Sequence, residues 1–223
     1  MNEKRTGPWI EVWQRLRRNK MAVLGLIVIV FLILVAIFAD YIAPFTYSQQ
    51  NFEAALQKPN STYWFGTDNF GRDIFTRVVY GSRVSLQVGI ISVSIALLVG
   101  GTIGAIAGYV GGWIDTILMR MMDIMLAIPG TLLAISIVAT LGGGLRNVMI
   151  AVGIGSIPSY ARIVRASVLS LKELQFVEAA KAVGTRTSKI ILKHLIPNTM
   201  APIIVQSTLG VAGAILAAAG LGF

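Results

Sequence analysis

Charged side chains are bunched along this chain, and the gaps between them set its expected elements. Met21 to Ala39 is nineteen residues without a charge, enough at 1.5 Å per helical residue to cross a hydrocarbon layer of about 30 Å. The run exceeds the apolar core of a cleaved leader, about 7–15 residues, and no small-residue cleavage pattern precedes Asp40, so a retained first span over 21–39 is expected. A second uncharged run, Val84 to Ile114, is longer than one crossing needs. It predicts a helix over 84–109 that stops in the Gly111-Gly112 turn. A third span is expected over 120–141 and a fourth over 147–169, the fourth lengthened because Arg162 and Arg165 can snorkel to the interface. Ser170 to Asn198 is polar and charged, and Thr199 to Phe223 is again uncharged, giving a fifth span over 199–222. The fold class is all-α, a polytopic helical membrane protein, with an extramembrane loop over 40–83 and a transmembrane core over 84–223.

Composition agrees: 55% of the 223 residues are hydrophobic and only 13% charged, against about 25% charged in soluble domains. The formal charge of +9 does not point to nucleic acid, because the cations flank apolar runs instead of dotting polar sequence. They report orientation. Lys4, Arg5, Arg15, Arg17, Arg18 and Lys20 crowd residues 1–20, a basic amphipathic segment with Trp9, Trp13 and Leu16, and the region from Arg162 to Lys193 is similarly basic. The loop holds Lys58, Arg72, Arg77 and Arg83 against Asp40, Glu53, Asp68 and Asp73. The N-terminus is therefore expected on the cytoplasmic side. Five spans then leave the C-terminus outside, ending on Gly-Leu-Gly-Phe without an interfacial anchor, so at least one further helix is expected beyond it.

Inside the membrane the sequence offers packing features and little chemistry. Gly100, Gly104 and Gly108 recur every four residues and line one helix face, with Gly112 next in the series at the turn. Pro129-Gly130 and Pro158 should kink the third and fourth spans. Arg120 and Asp123, one turn apart, are expected to pair with each other. Ion-coupled carriers need ionisable groups in mid-membrane, and this chain has almost none. It has no GxxxxGK[ST] phosphate loop, no cysteine, a single histidine and no GxSxG. Catalytic, cofactor and metal sites are accordingly not expected.

Between the fourth and fifth spans, Leu171 to Val183 reads as a short helix stopped by Gly184. Thr187 or Ser188 can cap a second helix that runs to about Leu195 and is ended by Pro197.

These residues resemble a family. Glu178, Ala179, Ala180, Gly184 and Pro197 stand at the spacing of the EAA-xxx-G-x9-I-x-LP pattern of permease subunits of ATP-binding-cassette importers, with His194 in place of Ile and Ile196 in place of Leu. In the loop, Gly66, Thr67, Asp68, Gly71, Arg72 and Asp73 resemble the GTDxxGRD stretch of the second permease of dipeptide, oligopeptide and nickel importers. Ala218 stands where members often have Glu. The likeness covers nearly the whole chain and implies a type I importer permease fold of six helices, five of them present. It also implies that the segment 170–198 docks on an ATPase subunit, which binds the ATP. The implied partners are a sister permease in a heterodimer, two ATPase subunits and an extracytoplasmic solute-binding protein contacting residues 40–83, all at a bacterial or archaeal cytoplasmic membrane. Peptide import is the first reading. The same architecture importing nickel or another small solute, and a non-transporting membrane scaffold, are the alternatives.

Overall fold

The computed structural model describes residues 16–222. The basic amphipathic segment expected over 1–20 lies almost entirely outside them. Two compact units divide the chain, residues 1–86 and 87–223.

In the first unit Asn19 caps the opening span: its side-chain carbonyl accepts from the N–H of Met21 and of Ala22 at 3.1 and 3.2 Å, satisfying two of the donors a helix start leaves free. Helix α1 (Lys20–Ile37) follows. Its aliphatic side chains from Leu26 to Leu34 are exposed, as a lipid-facing span requires. A short α2 (Ala39–Ile42) leads into a loop holding one 3₁₀ turn, Phe52–Ala54. Helix α3 (Ile74–Val110) begins ten residues before the expected 84, so the loop ends at Asp73. Asp73 is the reason: its carboxylate accepts from the Thr76 N–H at 2.8 Å and starts the helix there. Further along α3, Arg83 donates to the Ala36 carbonyl at 2.9 Å and to Asp40 at 3.2 Å, and the Tyr80 hydroxyl donates to Asp40 at 2.7 Å. The end of α1 is thereby fastened to α3.

The second unit contains the rest of α3, then α4 (Gly112–Ala127), α5 (Gly130–Leu141), α6 (Leu145–Leu171), α7 (Gln175–Ala182), α8 (Thr187–Ile190), a π-helical turn (Ile191–Leu195), α9 (Ile196–Asn198) and α10 (Met200–Gly220). The third span expected over 120–141 is bent sharply at Pro129-Gly130, where a kink is expected, and forms as two helices, α4 and α5. Ile128 is extended (φ −92°, ψ 125°), as the residue before a proline must tend to be. The α4 and α5 axes meet at 88°. Pro158, by contrast, is buried within an unbroken α6. There its missing N–H leaves one carbonyl free without ending the helix.

Register fixes the topology. A Cβ on Gly100, Gly104 or Gly108 would meet the carbonyl oxygens of Ile157, Ala161 and Arg165 in turn, so residue numbers rise together and α3 and α6 run parallel. The chain leaving α3 must recross before α6 can start, and the bent α4–α5 pair makes that crossing. Residues Val88, Val93 and Ala105 of α3 pack in reverse order along α10, near Ala214, Val211 and Ile203, so α10 runs antiparallel. Counting the bent pair as one, the described residues hold five spans.

Candidate functional site

Segment 170–198 is built upon the common end of α3 and α6 and the start of α10. The α6 helix runs on to Leu171, and α7 begins only at Gln175, later than the expected Leu171. Gly184 closes it with φ +73°. The Gly184 N–H donates to the Lys181 carbonyl at 2.9 Å and the Thr185 N–H to the Ala180 carbonyl at 3.0 Å. This left-handed stop suits glycine. Val177 and Ala180 are buried with Ile190 and Leu195 against Ala105, Val164, Val168 and Ile203. The opposite face presents Phe176, Glu178, Ala179 and Lys181 to solvent, continued by Val183, which is 80% exposed. Glu178 has no ion-pair partner among the described residues.

The second limb departs from expectation. Arg186, not Thr187 or Ser188, occupies the capping position, without a side-chain bond. Nor does Pro197 end the helix: the helix widens into a π turn over Ile191–Leu195 and continues through Pro197 to Asn198. Pro197 cannot donate to the Lys193 carbonyl and its ring crowds that oxygen. Widening the preceding turn relieves both problems. The next two carbonyls are bonded, the Asn198 amide donating to that of His194 at 2.6 Å and the Thr199 N–H to that of Leu195 at 3.0 Å.

Two ion pairs and two lysines tie this end of the bundle together. Arg165 of α6 grips Asp115 of α4 with two bonds, Nε to Oδ1 at 2.5 Å and Nη2 to Oδ2 at 2.6 Å. Asp123 bonds Arg162 at 2.6 Å, so the expected Arg120–Asp123 pairing is corrected: the facing helix supplies the cation. Lys172 donates to the Gly108 carbonyl at 3.2 Å, and the Lys181 ammonium lies 5.5 Å from the Tyr109 ring centroid. None of these partners was found from sequence, because they lie 39 to 72 residues apart, where helical spacing says nothing.

In the first unit, Gly66, Thr67, Asp68, Gly71, Arg72 and Asp73 form one knot. The Thr67 hydroxyl donates to the Ala54 carbonyl and accepts from the Gln57 N–H at 2.8 Å. The Asp68 carboxylate accepts from the Phe70 and Arg72 N–H groups at 2.9 and 3.0 Å, from Arg72 Nε at 2.7 Å and from Arg77. A Cβ on Gly71 would stand 1.7 Å from the Asn51 carbonyl oxygen, and one on Gly66 2.4 Å from that of Gln57, so both chain crossings exclude a side chain. These residues are used on one another. Around them Trp64 and Phe65 pack on Phe75, with centroids 4.9 and 5.3 Å away.

Burial opposes ionisation of Asp68, but the two backbone donors and the two guanidinium groups outweigh it and hold the carboxyl down to about 2, from a usual 3.8. A depressed folded-state value stabilises the fold above the unfolded value and ceases to do so as pH falls through it. The knot is thus expected to loosen as pH is lowered from about 4 toward 2. The check is Trp64 emission in a variant whose other three tryptophans are replaced by phenylalanine, with Asp68→Asn removing the transition.

An open cleft of about 510 Å³ lies among α5, α6 and α10 in the second unit, lined by Thr131, Ser159, Tyr160, Gln206 and several glycines and alanines. Among the described residues, no Asp, Glu, Lys, Arg or His lines it. Sequence reading assigned nothing to these positions, since isolated Ser, Thr and Gln residues in apolar runs carry no spacing signal.

Residues 100–223 match the family described as binding-protein-dependent transport system inner membrane component, and residues 7–59 match the N-terminal TM domain of oligopeptide transport permease C. The dipeptide transport system permease protein DppC of Alkalihalophilus pseudofirmus is 53% identical over 216 residues, covering 97% of this chain and 71% of that protein. Glutathione transport system permease proteins GsiD are similar as well: that of Pectobacterium atrosepticum is 40% identical and that of Escherichia coli O6:K15:H31 43%, each over 97% of this chain and 72% of the relative.

Proposed function

The chain belongs to the family of binding-protein-dependent transport system inner membrane components, and from that premise we propose how its geometry serves peptide import by an ATP-binding-cassette system. It is an integral inner-membrane permease and not itself an enzyme; ATP hydrolysis belongs to separate subunits. In this reading α7 is the docking element for an ATPase subunit, with Glu178 and Ala179 at the contact, Ala180 and Gly184 shaping the element, and Pro197 setting the return into α10. The supporting observation is that α7 has two faces. One, through Val177 and Ala180, is bedded among the ends of three spans, while the other leaves Glu178 exposed and unpaired among the described residues. A push on α7 is therefore a push on α3, α6 and α10 together, the mechanical arrangement a two-state change needs.

The remaining parts follow. In this reading the N-terminus and the docking segment lie in the cytoplasm, a side supported by the basic residues beside α1 and α7. The knotted loop then lies outside, a stiff surface for a solute-binding protein. A sister permease supplies the other half of the path.

The test is reconstitution of the complete importer in liposomes. Glu178→Arg is expected to reduce peptide-stimulated ATP hydrolysis about tenfold, equivalent to roughly 1.4 kcal/mol of contact energy, and a cysteine at 178 should crosslink to the ATPase. A wild-type complex with no solute-stimulated hydrolysis would support the scaffold alternative instead.

A further inference from the structure

We propose that the cleft among α5, α6 and α10 is a contact site for the solute in passage, and that Gln206, with Ser159 and Thr131, engages the solute's amide backbone and not its charged groups. This rests on the import reading above.

The polar groups of the cleft fall into two sets. The Ser156 hydroxyl donates to the Val152 carbonyl at 2.9 Å, and the Tyr160 phenol to the Gln206 main-chain carbonyl at 3.3 Å. Both are committed within the bundle. The Gln206 carboxamide and the Ser159 and Thr131 hydroxyls have no hydrogen-bond partner among the described residues, yet all three line the cleft. Gln206 is the seventh residue of α10, well inside a span. An amide facing hydrocarbon there loses several kcal/mol of hydration, so this one must face water or a polar ligand.

The ligand's chemistry follows from the groups themselves. A carboxamide has both donor and acceptor and pairs at two points with another amide. With no carboxylate, ammonium, guanidinium or imidazole in the lining among the described residues, the site does not read charge. A sister-permease helix is a poor occupant, because its own main-chain N–H and C=O groups are bonded along its axis. An extended peptide has those groups free. The small residues Gly130, Gly155 and Gly213, with no neighbour within 4 Å of where a Cβ would stand, leave room for differing side chains, which suits a path that tolerates sequence.

The experiment measures uptake into liposomes holding the complete importer, at saturating solute-loaded binding protein. The probes are a tripeptide and the same tripeptide N-methylated at its central amide, each corrected for retention by the binding protein. Gln206→Leu is expected to slow uptake of the ordinary tripeptide about fivefold, the effect of losing about one hydrogen bond, and to leave the slower N-methylated one unchanged. Gln206→Asn, which keeps the amide, should restore part of the difference. Equal slowing of both probes, no slowing of either, or loss of the sister permease from the purified complex would each overturn the assignment while leaving the import reading in place. Wild-type liposomes that take up neither probe would overturn both.

Discussion

Gly104→Ala is expected to unfold or misassemble the helical core, although it adds one methyl group in the middle of a helix. At ordinary sites that change gains about 0.5–1 kcal/mol of helix propensity. Here the new Cβ would lie 2.2 Å from the Ala161 carbonyl oxygen and 3.0 Å from the Arg165 nitrogen. Both obstacles are main-chain atoms of α6, so no rotamer change makes room, and the helices must separate along their seam. Overpacking of this kind costs typically 1–3 kcal/mol. A backbone obstacle puts the site at the top of that range. Gly101→Ala, one residue away, meets only side-chain methyls, of Leu97 at 3.5 Å and Val164 at 3.9 Å, and should be neutral or mildly stabilising. Melting temperatures in detergent, read by size-exclusion chromatography after heating, should therefore separate the two variants, Gly104→Ala falling well below wild type and Gly101→Ala matching or slightly exceeding it. A Gly104→Ala protein as stable as wild type would mean that α3 and α6 do not approach as closely as described.

That contrast shows what a sequence of this kind reveals. The four-residue period of Gly100, Gly104 and Gly108 announces a close approach, because in an apolar helix a glycine stripe has little other use. Which helix approaches cannot be read, since the facing carbonyls of Ile157, Ala161 and Arg165 are present in any sequence. Spans are legible because lipid demands long uncharged runs. Their interruptions are less so: Pro129 breaks its span through 88° while Pro158 does not, and the two differ in whether neighbouring helices hold the main chain straight. Pro158 is enclosed, whereas Ile128 before Pro129 is exposed. The loop motif is legible by resemblance, but its inward use, with Asp68 gathering Arg72 and Arg77, required the folded chain. The cleft is the least legible part. Its lining comes from three helices, and its significance lies in which polar groups are left over once the bundle has formed.

Breaking the Asp115–Arg165 pair is expected to have the second large effect, and one that separates stability from geometry. The pair is bidentate, with Asp115 15% and Arg165 33% exposed in their side chains, so neither charge is well hydrated. Removing one partner strands the other, and charged hydrogen bonds of this type are worth about 1.5–3 kcal/mol. Partial solvent access at Arg165 favours the lower end. Arg165→Leu and Asp115→Leu should each lower the melting temperature clearly. The double variant should be more stable than either, because two apolar side chains leave no buried charge unmet. If the pair serves only to hold α4 on α6, the double variant will also import peptide normally. A different result is expected from its position. Arg165 is the residue whose carbonyl receives Gly108 of α3, and α6 continues unbroken to Leu171 beside α7, so under the proposed docking role of α7 the pair sets the angle between the α4–α5 crossing and that element. Two leucines restore cohesion but not a fixed angle. The double variant should thus keep its melting temperature within a few degrees of wild type while its peptide import per ATP hydrolysed falls. Normal coupling in a stable double variant would reduce the pair to a fastening and nothing more.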